Sequence, residues 1–140
     1  MKYQLSLVIL LTCACSGGEK KEKDDTPAPA ANVNAVLDAA AFKEQISSDR
    51  NAVVLDVRTP GEVAEGIIPG AVVIDFNAPD FEEKIANLDK DKDYYVYCKA
   101  GGRSTKAATH MESIGISKIY NLKGGYDAWV QSGFETVEPE

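Results

Sequence analysis

The chain has 140 residues, 44% hydrophobic and 26% charged, which suits one domain with a proper core. Its formal net charge of −7 argues against generic nucleic-acid binding. Any attraction for an anionic substrate must therefore be local to a site.

The first fifteen residues read as an export signal, with Lys2 as a positive start and Leu5 to Leu11 as the apolar run. That run is too short to span a membrane. Thr12-Cys13-Ala14-Cys15-Ser16 resembles a bacterial lipobox, in which the cysteine after the cut is acylated. Cys15 is preferred because small Ala14 precedes it, although Thr12 replaces the usual Leu; Cys13 has Leu10 in that place but bulky Thr12 at the cut. The expectation is a protein lipid-anchored at a bacterial cell envelope, on the periplasmic or surface side, with the membrane engaged only through acyl chains. Residues 16–32 have mixed charge, a Pro/Ala finish and no apolar period, so they read as a flexible linker.

The folded domain is expected over 33–140. Val33 to Val36 reads as a short edge strand, and Asp38 as the N-cap of a helix reaching Ser47 with Phe42 and Ile46 on one side. Ala52 to Asp56 is an apolar run expected as a buried strand. Thr59-Pro60-Gly61-Glu62 has capping-box spacing with Pro at the first helical position, so a helical turn follows at once and ends at Gly66. Ala71 to Asp75 is expected as another buried strand, and Asp80 as the cap of a helix over Phe81 to Leu88.

Tyr94-Tyr95-Val96-Tyr97 is aromatic and β-branched, the composition of a buried central strand. It ends in Cys98, passes through Lys99-Ala100-Gly101-Gly102 and enters a helix over Arg103 to Ile114. Small residues in that loop leave its N–H groups bare, and the helix N-terminus adds positive potential to that of Lys99 and Arg103. Such a nest holds an anion and lowers a thiol's pKa. Lys118 to Leu122 gives a last strand, and Gly124-Gly125 opens a final helix with Tyr126 and Trp129 as core aromatics. Strands alternating with helices imply an α/β fold of three layers, a mainly parallel sheet of about five short strands covered on both faces. Ligands of such sheets bind beyond the carboxyl ends of the strands, where Cys98 falls.

At the loop, Cys98, Gly101 and Arg103 match the C-x-x-G-x-R pattern of the rhodanese (sulfurtransferase) family, which the chain resembles. Leu55 to Pro60 with Glu65 to Ala71 resembles its N-terminal signature, and Asn121 to Trp129 its C-terminal one. Ile67 departs from the His common before Ile68-Pro69-Gly70, a change expected to alter packing rather than activity. The resemblance implies that Cys98 takes a sulfane sulfur from a small anionic donor such as thiosulfate, forms a persulfide, and yields it to cyanide or a thiol, which a partner protein can carry. It makes the amides of Lys99, Ala100, Gly101, Gly102, Arg103 and Ser104 the substrate cradle. Lys99 is read as substrate-binding or, alternatively, as a solvated lysine. Arg103 is expected to brace the loop through a carboxylate, and Asp56 with Arg58 to form an internal ion pair that fixes the loop.

Two other functions are compatible with the residues: a persulfide carrier without notable turnover, and a cysteine-based phosphatase. The second uses C-x5-R, whereas four residues separate Cys98 from Arg103. His110 lies mid-helix, and a thiolate of low pKa requires no base from it. No cofactor is expected: no Cys/His cluster has metal-ligand spacing and no nucleotide-type phosphate loop is present. With Cys13 removed and Cys15 acylated, Cys98 is left as a single free thiol.

Overall fold

The computed structural model describes residues 32–140. The expected signal, Cys13, Cys15 and residues 16–31 of the linker lie outside the described residues.

Five strands form one parallel sheet in the order β1-β5-β4-β2-β3: β1 (Val33–Leu37), β2 (Ala52–Asp56), β3 (Val72–Val73), β4 (Asp93–Tyr97) and β5 (Lys118–Leu122). Between them run α1 (Ala39–Ser48), α2 (Pro60–Val63), α3 (Phe81–Ala86) and α4 (Gly102–Ser113), with α5 (Gly125–Gln131) last. β4 is central, and all five of its residues are buried. Alternation along it divides the core. Tyr94, Val96 and Cys98 face α3 and α4, packing with Phe81, Ile85, Ala107, Ala108 and Met111. Tyr95 and Tyr97 face α1 and α5, packing with Phe42, Leu122, Tyr126 and Trp129. The three-layer α/β architecture expected from the alternating pattern is thus the one formed.

Most local expectations hold because turn chemistry and apolar period agree. Asp38 caps α1 by accepting from the Ala41 N–H at 2.9 Å. β2 and β5 have the expected limits.

Two differ. Ala71 to Asp75 is not a buried strand: only Val72 and Val73 are extended in the sheet, at its edge, and both are exposed. An apolar run does not say whether its strand has neighbours on both sides. The second difference is α3, which stops at Ala86 rather than Leu88. Asp80 precedes it without a side-chain cap bond, its carboxylate being held instead by Lys84 at 3.0 Å.

Candidate active site

The site lies where β4 ends. Cys98 is 1% exposed, so its thiol sits at the inner wall of the core rather than on an open surface. Its polar surroundings come from the loop that follows. The Gly101 N–H donates to Sγ at 3.0 Å, and the Ser104 hydroxyl lies 3.5 Å from it. Burial pushes the thiol pKa up. The Ser104 hydroxyl, with backbone N–H groups of Ser104, Gly101 and Ala100, outweighs that and leaves it below its ordinary value. Gly101 reaches this position at φ 111°, a conformation suited to glycine, and precedes α4 without capping it by a side chain. From the first turn of this twelve-residue helix the Ser104 N–H joins those of Gly101 and Ala100 at the sulfur.

Two sets of bonds hold the loop. On one side Thr105 donates its amide and hydroxyl to the Gly101 carbonyl, at 3.1 and 2.7 Å, and the Ser104 hydroxyl reaches the same oxygen at 3.1 Å. Ser104 has one hydroxyl proton, so it serves the carbonyl or the sulfur at a given moment. Thr105 is itself held by the Asn121 side-chain amide at 2.8 Å. On the other side the Tyr126 and Asp127 amides donate to the Cys98 and Lys99 carbonyls, at 2.8 and 3.1 Å. That approach leaves no room at Gly125, where a Cβ would stand 2.4 Å from the Cys98 carbonyl oxygen.

Arg103 makes a two-pronged bond to Glu62, at 2.7 and 2.6 Å, and does not point its fork at the sulfur. Glu62 also accepts from the Thr59 amide and hydroxyl, at 3.0 and 2.8 Å. The Arg103 guanidinium, against the opposing cost of burial and helped by Thr59, holds the Glu62 carboxyl down at about 2. Asp56 and Arg58 form a fully buried pair at 2.6 Å. Arg58 also donates to the carbonyls of Glu62 and Gly66, at 3.1 and 2.7 Å, with Tyr126 stacked 3.9 Å below its guanidinium. This pair therefore fixes the α2 turn, and it reaches the cysteine loop through Glu62 and Arg103 and through Tyr126, whose amide bonds to the Cys98 carbonyl. Lys99 is exposed and bonded to Asp127 at 3.1 Å.

Residues 38–132 match the family described as Rhodanese-like domain. The chain belongs to that family. A putative sulfurtransferase of Bacillus subtilis is 42% identical over 93 residues, 66% of this chain and 87% of that one. A thiosulfate sulfurtransferase of Stutzerimonas stutzeri is 38% identical over 89 residues, 61% of this chain and 79% of that one. A crystal structure of a rhodanese-related protein from Thermoplasma volcanium superposes with a TM-score of 0.67 at 30% identity, covering 76% of this chain and all of the other. Sulfur transfer is the general chemistry these relatives support for the rhodanese-like domain.

Within the rhodanese-like domain, Ile67 is buried and paired antiparallel with Val137, its amide and carbonyl both bonded to that residue. An apolar side chain fits this place. His110 sits beside Phe81, their ring centroids 6.4 Å apart, on the outer part of α4. Glu62, Asp127 and Gly125 were not singled out as site residues by the sequence. Glu62 is 41 positions from Arg103, and Asp127 is 28 from Lys99, so only the fold joins them. The doubled glycine at 124–125 was the visible signal. Its reason, a backbone pressed against the cysteine loop, was not.

Proposed function

We propose that the domain transfers sulfane sulfur through a persulfide on Cys98, with thiosulfate as a small donor and cyanide or a thiol as acceptor. The observation that supports it most is the convergence of loop N–H groups on the Cys98 sulfur, with Gly101 at 3.0 Å. The thiolate attacks the outer sulfur of thiosulfate. A new S–S bond forms, the old one breaks with its electron pair on sulfite, and the enzyme keeps a persulfide anion. Its negative charge then lies among the loop amides, as an oxyanion would among its donors. Attack of cyanide or a thiolate on the outer sulfur returns the Cys98 thiolate and releases thiocyanate or a new persulfide. No proton is needed in either half-reaction, consistent with the absence of a base beside the sulfur among the described residues.

The test is intact mass after thiosulfate, together with steady-state thiocyanate formation. The expected result is gain of one sulfur atom, reversed by cyanide and lost in Cys98→Ser, with turnover. Sulfur uptake without turnover makes the protein a carrier, and no uptake from any sulfane donor overturns the proposal. Hydrolysis of an aryl phosphate, abolished in Cys98→Ser, would reassign the site to phosphate chemistry. We further propose, on the sequence of residues 1–15 alone, that the chain is exported and acylated at Cys15. Labelling with a fatty acid in cells, lost in Cys15→Ala, is the expected result; unchanged labelling in that variant or none in wild type would contradict it.

A further inference from the structure

Lys99 follows the nucleophile directly, and an unpaired cation there would attract an anionic donor. Its ammonium instead meets the Asp127 carboxylate at 3.1 Å. The arrangement is built rather than incidental to side-chain freedom, because the Asp127 amide also bonds to the Lys99 carbonyl at 3.1 Å. Backbone and side chain thus join the same two residues. Asp127 raises the Lys99 ammonium above its ordinary pKa, and Glu65 and Glu62 add to the negative potential there. Arg103, the loop's other cation, has both prongs on Glu62. Both cations of the loop are therefore matched by carboxylates, and the groups left to receive a donor's charge are neutral: main-chain N–H groups and the Ser104 hydroxyl. Without a free cation beside them they offer no whole charge to offset the second charge of a dianion. The chain's net charge of −7 adds nothing that favours a dianion.

We propose that Asp127 is a donor-selectivity residue: by engaging Lys99 it lowers the use of dianionic donors such as thiosulfate relative to persulfides that carry a single charge. This rests on the sulfur-transfer function proposed above. Asp127 touches neither sulfur nor donor, and acts through Lys99. In both donor classes the Cys98 thiolate takes the outer sulfur. Sulfite leaves in one case and an alkyl thiolate in the other, so the two differ in charge rather than in electron flow.

The experiment measures the rate of sulfur gain at Cys98 by intact mass, with thiosulfate and with an alkyl persulfide. Wild type, Asp127→Asn, Lys99→Gln and the double variant are compared at low and high salt. Asp127→Asn keeps the backbone bond and the side-chain shape. It is expected to raise the thiosulfate rate about two- to fivefold at low salt, the range of an exposed ion pair. The gain should be smaller with the alkyl persulfide, shrink at high salt, and fall by at least half when Lys99 is absent. A thiosulfate rate unchanged or lowered by Asp127→Asn, or a gain equal in both donors and both backgrounds, overturns the assignment. Absence of sulfur gain with either donor in wild type would instead remove the underlying sulfur-transfer function, and the assignment with it.

Discussion

The ends of β2 and β4 are neighbours in the sheet and begin alike, each strand running into a turn and then a helix. At the end of β2 side chains tie the turn together: Glu62 turns back onto Thr59, and Arg58 joins Asp56 and the carbonyls of Glu62 and Gly66. At the end of β4 a glycine stands where a capping side chain would, and the N–H groups turn to Cys98. The first arrangement makes a rigid post, and the second leaves positive potential for an incoming anion. The proposed chemistry thus sits where side-chain capping is withheld, and the post braces that turn through Glu62 and Arg103.

Substitutions at the two ends should separate function from stability. Cys98→Ser is expected to reduce thiocyanate formation to background while moving the unfolding midpoint little, since oxygen replaces sulfur at similar volume. A large loss of stability would show that Cys98 serves packing. Arg58→Met should do the reverse, costing about 3–5 kcal/mol because it strands the buried Asp56 carboxylate. Denaturant unfolding measures it, and a cost near zero would break the picture of the β2 end as a post. Gly125→Ala, pressed against the β4 end, should affect both stability and function. Its φ of 60° and its contact with the Cys98 carbonyl predict a loss of roughly 2–4 kcal/mol together with lost activity.

A smaller effect concerns pH. The Glu62 carboxyl is depressed from 4.5 to about 2 by Arg103, so its contribution is present in full above pH 4.5 and is lost as pH falls through about 2. The shift corresponds to at most ~3 kcal/mol. Glu62→Gln should therefore narrow the stability difference between neutral pH and pH 2; the same acid loss in both proteins would locate it elsewhere. Ser104→Ala is expected to be the mildest. Without the hydroxyl at 3.5 Å, the inflection in the pH dependence of persulfide formation moves upward. No shift would mean that the amides suffice.

The post and the nest were unequally legible in sequence. The nest is local: Cys98 to Ser104 lie within seven consecutive residues, and strand composition, glycines and helix start all mark the place. The ion pair of Asp56 and Arg58 was visible too, two residues apart in one turn. Its target was not, because the carbonyls of Glu62 and Gly66 become its partners only once the turn closes. The partners of Arg103 and Lys99 depend on which strand ends adjoin, and strand order is not written in any one segment. β3 shows the same limit, since its valines have the composition of an interior strand and the position of an edge.

The central claim is that the Ser104 hydroxyl and the loop's main-chain N–H groups lower the Cys98 thiol pKa despite its burial. Its most direct test is a titration of thiolate ultraviolet absorbance in wild type, with Cys98→Ser subtracted to remove other cysteines. An inflection clearly below the ordinary thiol value of about 8.5 is predicted. An inflection at or above that value would contradict the account, since burial would then outweigh the loop.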